Sequence, residues 1–166
     1  MYTIVPENHT ALHTVALPVP AEDIISPRIK KIIKGMKDAL IRESDGVAIA
    51  APQIGESLRI FVLSPKVHED KVGEPLVYIN PVITKTSKRM TWKEGEGCLS
   101  LRWLYGEVRR YTNVTVRAYD ENGVVFERGA GGLLAHIFQH EIDHLDGILF
   151  LEKARNVYDA PPEQSK

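Results

Sequence analysis

The sequence predicts an α+β fold, on three observations. Two segments, one early and one late, carry apolar residues at helical spacing. Between them lie runs rich in Val, Ile, Tyr and Phe, residues that favour strands. These runs are bunched together instead of alternating with helices, which argues against a parallel α/β sheet. With 166 residues, 43% apolar and 26% charged, the chain reads as one globular domain over 1–166.

Taken in order, residues 1–25 read as a loop-like arm broken by Pro6, Pro18 and Pro20. Ser26-Pro27 then opens a helix, with Ser as cap and Pro at the first helical position. Ile29, Ile32, Ile33, Met36, Leu40 and Ile41 recur at helical spacing, and Asp45-Gly46 ends the pattern. The basic run RIKKIIKGMK is the solvated face of that helix. Leu58–Leu63 and Leu76–Ile83 read as strands, and residues 113–127 as a hairpin whose turn is marked by Asn122-Gly123. Gly129 to Gly132 releases the chain into a helix that begins near Leu133 and stops at Gly147. Residues 157–166 read as a mobile tail.

Charge and cysteine content narrow the function classes. A formal net charge of −1 gives no broad attraction to nucleic acid or to an acidic membrane surface. No apolar run reaches the roughly 20 residues a membrane helix needs. The single cysteine, Cys98, forms no internal disulfide and suits a reducing compartment. No basic leader precedes an apolar block, so the triplets Asn8-His9-Thr10 and Asn113-Val114-Thr115 read as chance matches to a glycosylation signal. The expected location is the cytoplasm, or an organelle matrix if a targeting peptide has been removed.

The second helix poses a chemical question. On a helical wheel Leu133, Leu134, Ile137, Phe138 and Leu145 form an apolar stripe, with His136, Gln139, Asp143 and Asp146 opposite. His140, Glu141 and His144 fall inside the apolar stripe, where an unpaired polar group costs about 2–7 kcal/mol. HEIDH has the form H-E-x-x-H: two imidazoles on one helical face can hold a metal ion, and the glutamate can act as general base on an activated water. A catalytic metal needs a third protein ligand. Cys98 is the only soft candidate, in EGEGCLS, where Gly95 and Gly97 let the backbone pass close to another group. His9, His13, His68 and His136 compete with it. A third segment, GVAIAAPQIG (residues 46–55), is small, apolar and bounded by glycines. It reads either as a tight helix-to-strand connection or as a ligand-approach loop in which Gln53 offers an N–H donor.

GVAIAAPQIG, EGCLS and QHEIDH, in this order over residues 46–147, resemble the three motifs of peptide deformylase. The resemblance implies antiparallel strands wrapped around the helix that carries H-E-x-x-H. It implies a divalent metal held by Cys98, His140 and His144: ferrous iron physiologically, with zinc, nickel or cobalt also able to occupy the site. It implies removal of the formyl group from N-terminal formyl-methionine of nascent chains, with Glu141 as general base and proton donor. The Gln53 amide and the Leu99 N–H would stabilise the oxyanion. Val47, Leu133 and Ile137 would line the methionine pocket, and backbone groups near Ala48 and Gly97 would hold the peptide extended. The partners it implies are formyl-Met peptides and a transient association with the ribosome, with no specific nucleic acid and no membrane. The chain departs from the family at Ala48 and Ile49, where Gly and Leu are usual, and at Leu101-Arg102-Trp103, where an apolar residue and Pro-Gly often follow.

Two other readings weigh the same residues differently. A zinc metallopeptidase shares H-E-x-x-H, but no further histidine or glutamate pattern follows His144, and Cys98 and Gln53 would have no task. A non-catalytic metal or interaction domain has no use for an unligated Glu141.

Overall fold

The computed structural model describes residues 1–68 and 76–162. Helix α1 spans Pro27–Ile41 and begins at the expected signals: the Ser26 hydroxyl accepts the Ile29 N–H at 3.3 Å, and Pro27 sits in the first turn. Ile29, Ile32, Ile33, Met36 and Leu40 form its buried face, while Lys30, Lys31 and Lys34 are exposed. Ile41, expected on the apolar stripe, is exposed at the helix end.

The strands form two antiparallel sheets. The larger joins β1 (Ala48–Ala50), β2 (Ile60–Leu63), β3 (Val77–Thr86), β6 (Asn113–Tyr119) and β7 (Val125–Gly131), in the order β1-β2-β3-β6-β7. The smaller joins β4 (Met90–Gly97), β5 (Leu104–Tyr111) and β8 (Ala154–Asp159), in the order β4-β5-β8. Helix α2 (Gly132–Leu145) packs against β1, β2, β5, β6 and β7, so strands of both sheets surround it. Phe61, Tyr78 and Phe138 cluster beneath it, with the Phe61 and Tyr78 rings stacked at 4.5 Å.

Several elements differ from the sequence reading, each for a physical reason. The arm at 1–25 is packed: Leu12, Ala16, Val19 and Ile24 are buried, and two 3-10 turns form at Thr10–His13 and Ala21–Asp23. The Asn80 amide fixes it, accepting the Val19 N–H at 2.8 Å and donating to the Val19 carbonyl at 2.7 Å. The prolines suppress regular structure without preventing burial. Strand β3 runs past Ile83 to Thr86, and the register shifts between Ile79 and Val82 beside Asn80. The β6–β7 hairpin turns at Asn122-Gly123 as expected, within a loop of residues 120–124 in which Asp120 Oδ1 accepts the N–H groups of Asn122 and Val124. No loop separates β7 from α2, since Gly131 ends one and Gly132 begins the other. Strands β4, β5 and β8 went unread because charges and glycines break their alternation. Val157–Asp159, expected in a mobile tail, belong to β8, where Tyr158 stacks on Tyr105 at 5.8 Å.

The polar side expected for α2 is the largest correction. His136, Gln139 and Asp143 are buried, whereas Leu133 is 60% exposed. A helix surrounded by strands has no broad solvent face, so its polar residues take partners inside. Gln139 accepts the Tyr111 N–H at 2.9 Å and donates to the Tyr111 carbonyl at 3.0 Å, pinning α2 to β5.

Candidate metal centre and active site

Helical spacing puts His140 and His144 on adjacent turns, with ring centroids 4.9 Å apart. Cys98, just past the end of β4, completes the group: one donor atom from each residue lies within 4.8 Å of the others. Cys98 Sγ is 3.3 Å from His144 Nε2 and 3.5 Å from Gln53 Nε2. The two glycines before Cys98 have distinct roles. Gly95 adopts φ +75°, and a Cβ on Gly97 would meet the Tyr105 ring at 2.8 Å. The motif glycines therefore shape the turn that delivers the thiol.

The competing histidines are committed elsewhere or lie aside. His9 accepts the Ala11 N–H, and His13 Nε2 pairs with the Glu7 carbonyl. His136 lines the cleft without joining the cluster, its pKa lowered by burial and by nearby Lys93 and Arg110. The side chain of His68 lies outside the described residues.

One thiol and two imidazoles form a donor set for a divalent transition ion. The carboxyl beside them is uncommitted: Glu141 is buried, and its Oε2 has no hydrogen-bond partner among the described residues. Burial pushes its pKa up to about 7, although neighbouring His140 acts to lower it. For His140, burial acts downward, but hydrogen bonds to Cys98 and Glu96 outweigh it and hold the pKa well above the ordinary value. His144, fully buried, is held well below its ordinary value by burial and by neighbouring His140. These residues fit a metal with a free base at its side.

Sequence reasoning missed the groups that orient His140. Glu96 Oε1 lies 2.7 Å from His140 Nδ1, leaving Nε2 for the cluster. Glu96 also accepts from buried Arg110, whose other arm donates to Asp143 at 2.9 Å, and Lys153 reaches Asp143 at 2.7 Å. Burial acts to raise the Glu96 pKa, but the Arg110 and His140 hydrogen bonds prevail and bring it to about 2. Asp143, three residues after His140, faces the same buried surroundings as the motif. The helical wheel puts it opposite the apolar stripe, and only the strands that cover that side bury it.

The cluster lies in a cleft of about 340 Å³. Val47, Ala48, Gln53, Gly97, Leu99, Leu133, Ile137 and Glu141 all line it, with His140 and Cys98, while His144 lies buried behind. Ala48 and Ile137 are buried in its wall, and Val47 and Leu133 form an exposed rim. Gln53 Oε1 accepts the Ala50 N–H at 2.8 Å, which fixes the amide and turns Nε2 towards Cys98. The Leu99 N–H makes no hydrogen bond among the described residues, which leaves it free as a donor beside Cys98.

The family model for polypeptide deformylase matches residues 1–159. A peptide deformylase of Pelotomaculum thermopropionicum is 40% identical over 165 residues, covering 99% of this chain and 98% of the relative. The crystal structure of a peptide deformylase from Thermotoga maritima superposes with a TM-score of 0.81 at 32% identity, covering 93% of this chain and 98% of that one. An actinonin-bound peptide deformylase from Acinetobacter baumannii gives a TM-score of 0.82 at 32% identity, covering 93% and 99%.

Proposed function

The chain belongs to the polypeptide deformylase family, and from that premise we propose how its own residues carry out the reaction. It is a metal-dependent hydrolase that removes the N-formyl group from nascent polypeptides. The observation that carries the assignment of roles is the convergence of Cys98, His140 and His144 beside an unpaired, buried Glu141.

Cys98, His140 and His144 hold the metal, and ferrous iron is the ion proposed, with zinc, nickel and cobalt as alternatives suited to the same donors. When bound, the ion acidifies a water and polarises the formyl oxygen. Glu141 takes the proton of the attacking water and delivers it to the departing amine. The Gln53 amide and the Leu99 N–H donate to the oxyanion as the formyl carbon becomes tetrahedral, and losing one such donor costs about 10²–10³-fold in rate. Val47, Leu133 and Ile137 form the methionine pocket, while the backbone at Ala48 and Gly97 aligns the peptide. Glu96 holds the His140 ring, and Arg110 holds Glu96.

The substrate is the N-formyl-methionyl end of a new chain, met at the ribosome in transient association, in the cytoplasm. No helix among the described residues is long and apolar enough to cross a membrane. The test is formate release from formyl-Met peptides by protein prepared anaerobically and reconstituted with iron, nickel or zinc in turn. Formate from each loaded form, and none after chelation, is the expected result. Cleavage of internal peptide bonds without formate would overturn the reading.

A further inference from the structure

The cleft extends past the residues proposed to hold the metal, the oxyanion and the methionine side chain. One wall is the segment Asp45–Ala48, and the other is the end of β4 with Cys98 and Leu99. Arg102 crosses between them. Its guanidinium donates to both carboxylate oxygens of Asp45, at 2.8 and 3.0 Å, and to Glu43. Trp103 follows in the left-handed region at φ +69°, a costly conformation for a bulky residue. Two contacts hold it there: the Arg102 guanidinium lies 5.4 Å from the ring centroid, and Ala160 N–H donates to the Trp103 carbonyl at 2.8 Å. Arg102, Trp103, Leu104 and Tyr105 all line the cleft.

We infer that the Arg102–Asp45–Glu43 bridge is a specificity-determining strap that presents Trp103 to the residues following formyl-methionine and selects apolar side chains there. The inference rests on the deformylase reading. An aromatic face held by a guanidinium that spans two carboxylates gives an apolar side chain a preorganised contact. Two carboxylates against one guanidinium leave the strap negative, which disfavours an acidic side chain at the same place. Arg102 acts through Trp103 and touches no reacting atom.

The test uses the metal-loaded full chain and compares formyl-Met with formyl-Met-Ala-Phe. Arg102→Met should lower kcat/KM on the tripeptide roughly tenfold more than on formyl-Met, through KM. Arg102→Lys, which keeps the charge but loses the fork, should recover part of that difference. An equal fall on both substrates, or no fall on either, would overturn the strap. A second readout does not need turnover. In Trp92→Phe, Trp103 is the sole tryptophan, and its fluorescence should change on adding Met-Ala-Phe but not methionine. No change with the peptide would overturn the inference even in an active enzyme. Absence of formate from both substrates would instead overturn the deformylase reading and leave this titration to decide the strap.

Discussion

The two helices are nearly equal in length and opposite in what surrounds them. Helix α1 lays one apolar face on the core and turns its lysines to solvent. Helix α2 is covered by strands of both sheets, so ten of its fourteen residues are buried, among them His136, Gln139, Glu141, Asp143 and His144. In the first, polarity reports exposure. In the second, polarity reports a partner: Gln139 has the Tyr111 backbone and Asp143 has Arg110. Among the described residues of this helix, Glu141 Oε2 and His144 Nδ1 keep no partner, and both belong to the proposed site.

Substitutions on the two helices should separate these meanings. The largest effect is expected at Glu141. Glu141→Ala should lower deformylation by about 10²–10⁴-fold while metal content stays unchanged. Loss of metal together with activity would make Glu141 a ligand and end its assignment as base.

Next comes the buried network behind α2. Arg110→Met removes the guanidinium that buried Glu96 and Asp143 share, leaving them only His140 and Lys153, and should cost about 3–5 kcal/mol in urea unfolding. Lys34→Met, which removes the exposed Lys34–Asp38 pair of α1, should cost no more than about 0.5 kcal/mol. Similar losses for both would show that the buried pairs of α2 are no more demanding than a surface pair.

A pH series sharpens the same contrast. Glu96 is lowered from 4.5 to about 2 in the folded chain. Its contribution is therefore complete above about 4.5 and fades as pH falls towards about 2, a shift equivalent to about 3 kcal/mol. The stability difference between the natural chain and Glu96→Gln should narrow from pH 7 to pH 3. A constant difference would remove the ionised carboxylate from the account. The α1 cap lies between the buried network and the surface pair: Ser26→Ala should lower stability by about 1 kcal/mol without altering turnover.

Legibility followed the same division. Helix α1 was readable because its cap and period agree, although it ends at Ile41, before the Asp45-Gly46 signal. The three motifs were readable because each places an unusual residue type in a small or apolar setting, and all of them line or back one cleft. The smaller sheet was not, since Lys93, Glu94, Arg109 and Arg155 interrupt the apolar alternation of strands held by cross-strand contacts such as Trp92–Arg155. Glu96 and Arg110 were missed for a related reason: a charge in a strand normally signals solvent, and only tertiary packing turns these two inward.

Strand β8 also sets an order in time. Its pairing joins Leu104 to Asp159 and Val108 to Ala154, with the whole of β6, β7 and α2 threaded between them. Closing so wide a chain loop is slow, which makes the β5–β8 pairing a late arrival in folding. A chain emerging from synthesis can form the local β4–β5 and β6–β7 hairpins early, yet the outer edge of β5 waits for the last strand. Pulse-labelled hydrogen exchange should accordingly show the β5 amides that pair with β8 gaining protection together with those of β8, and after those that pair with β4.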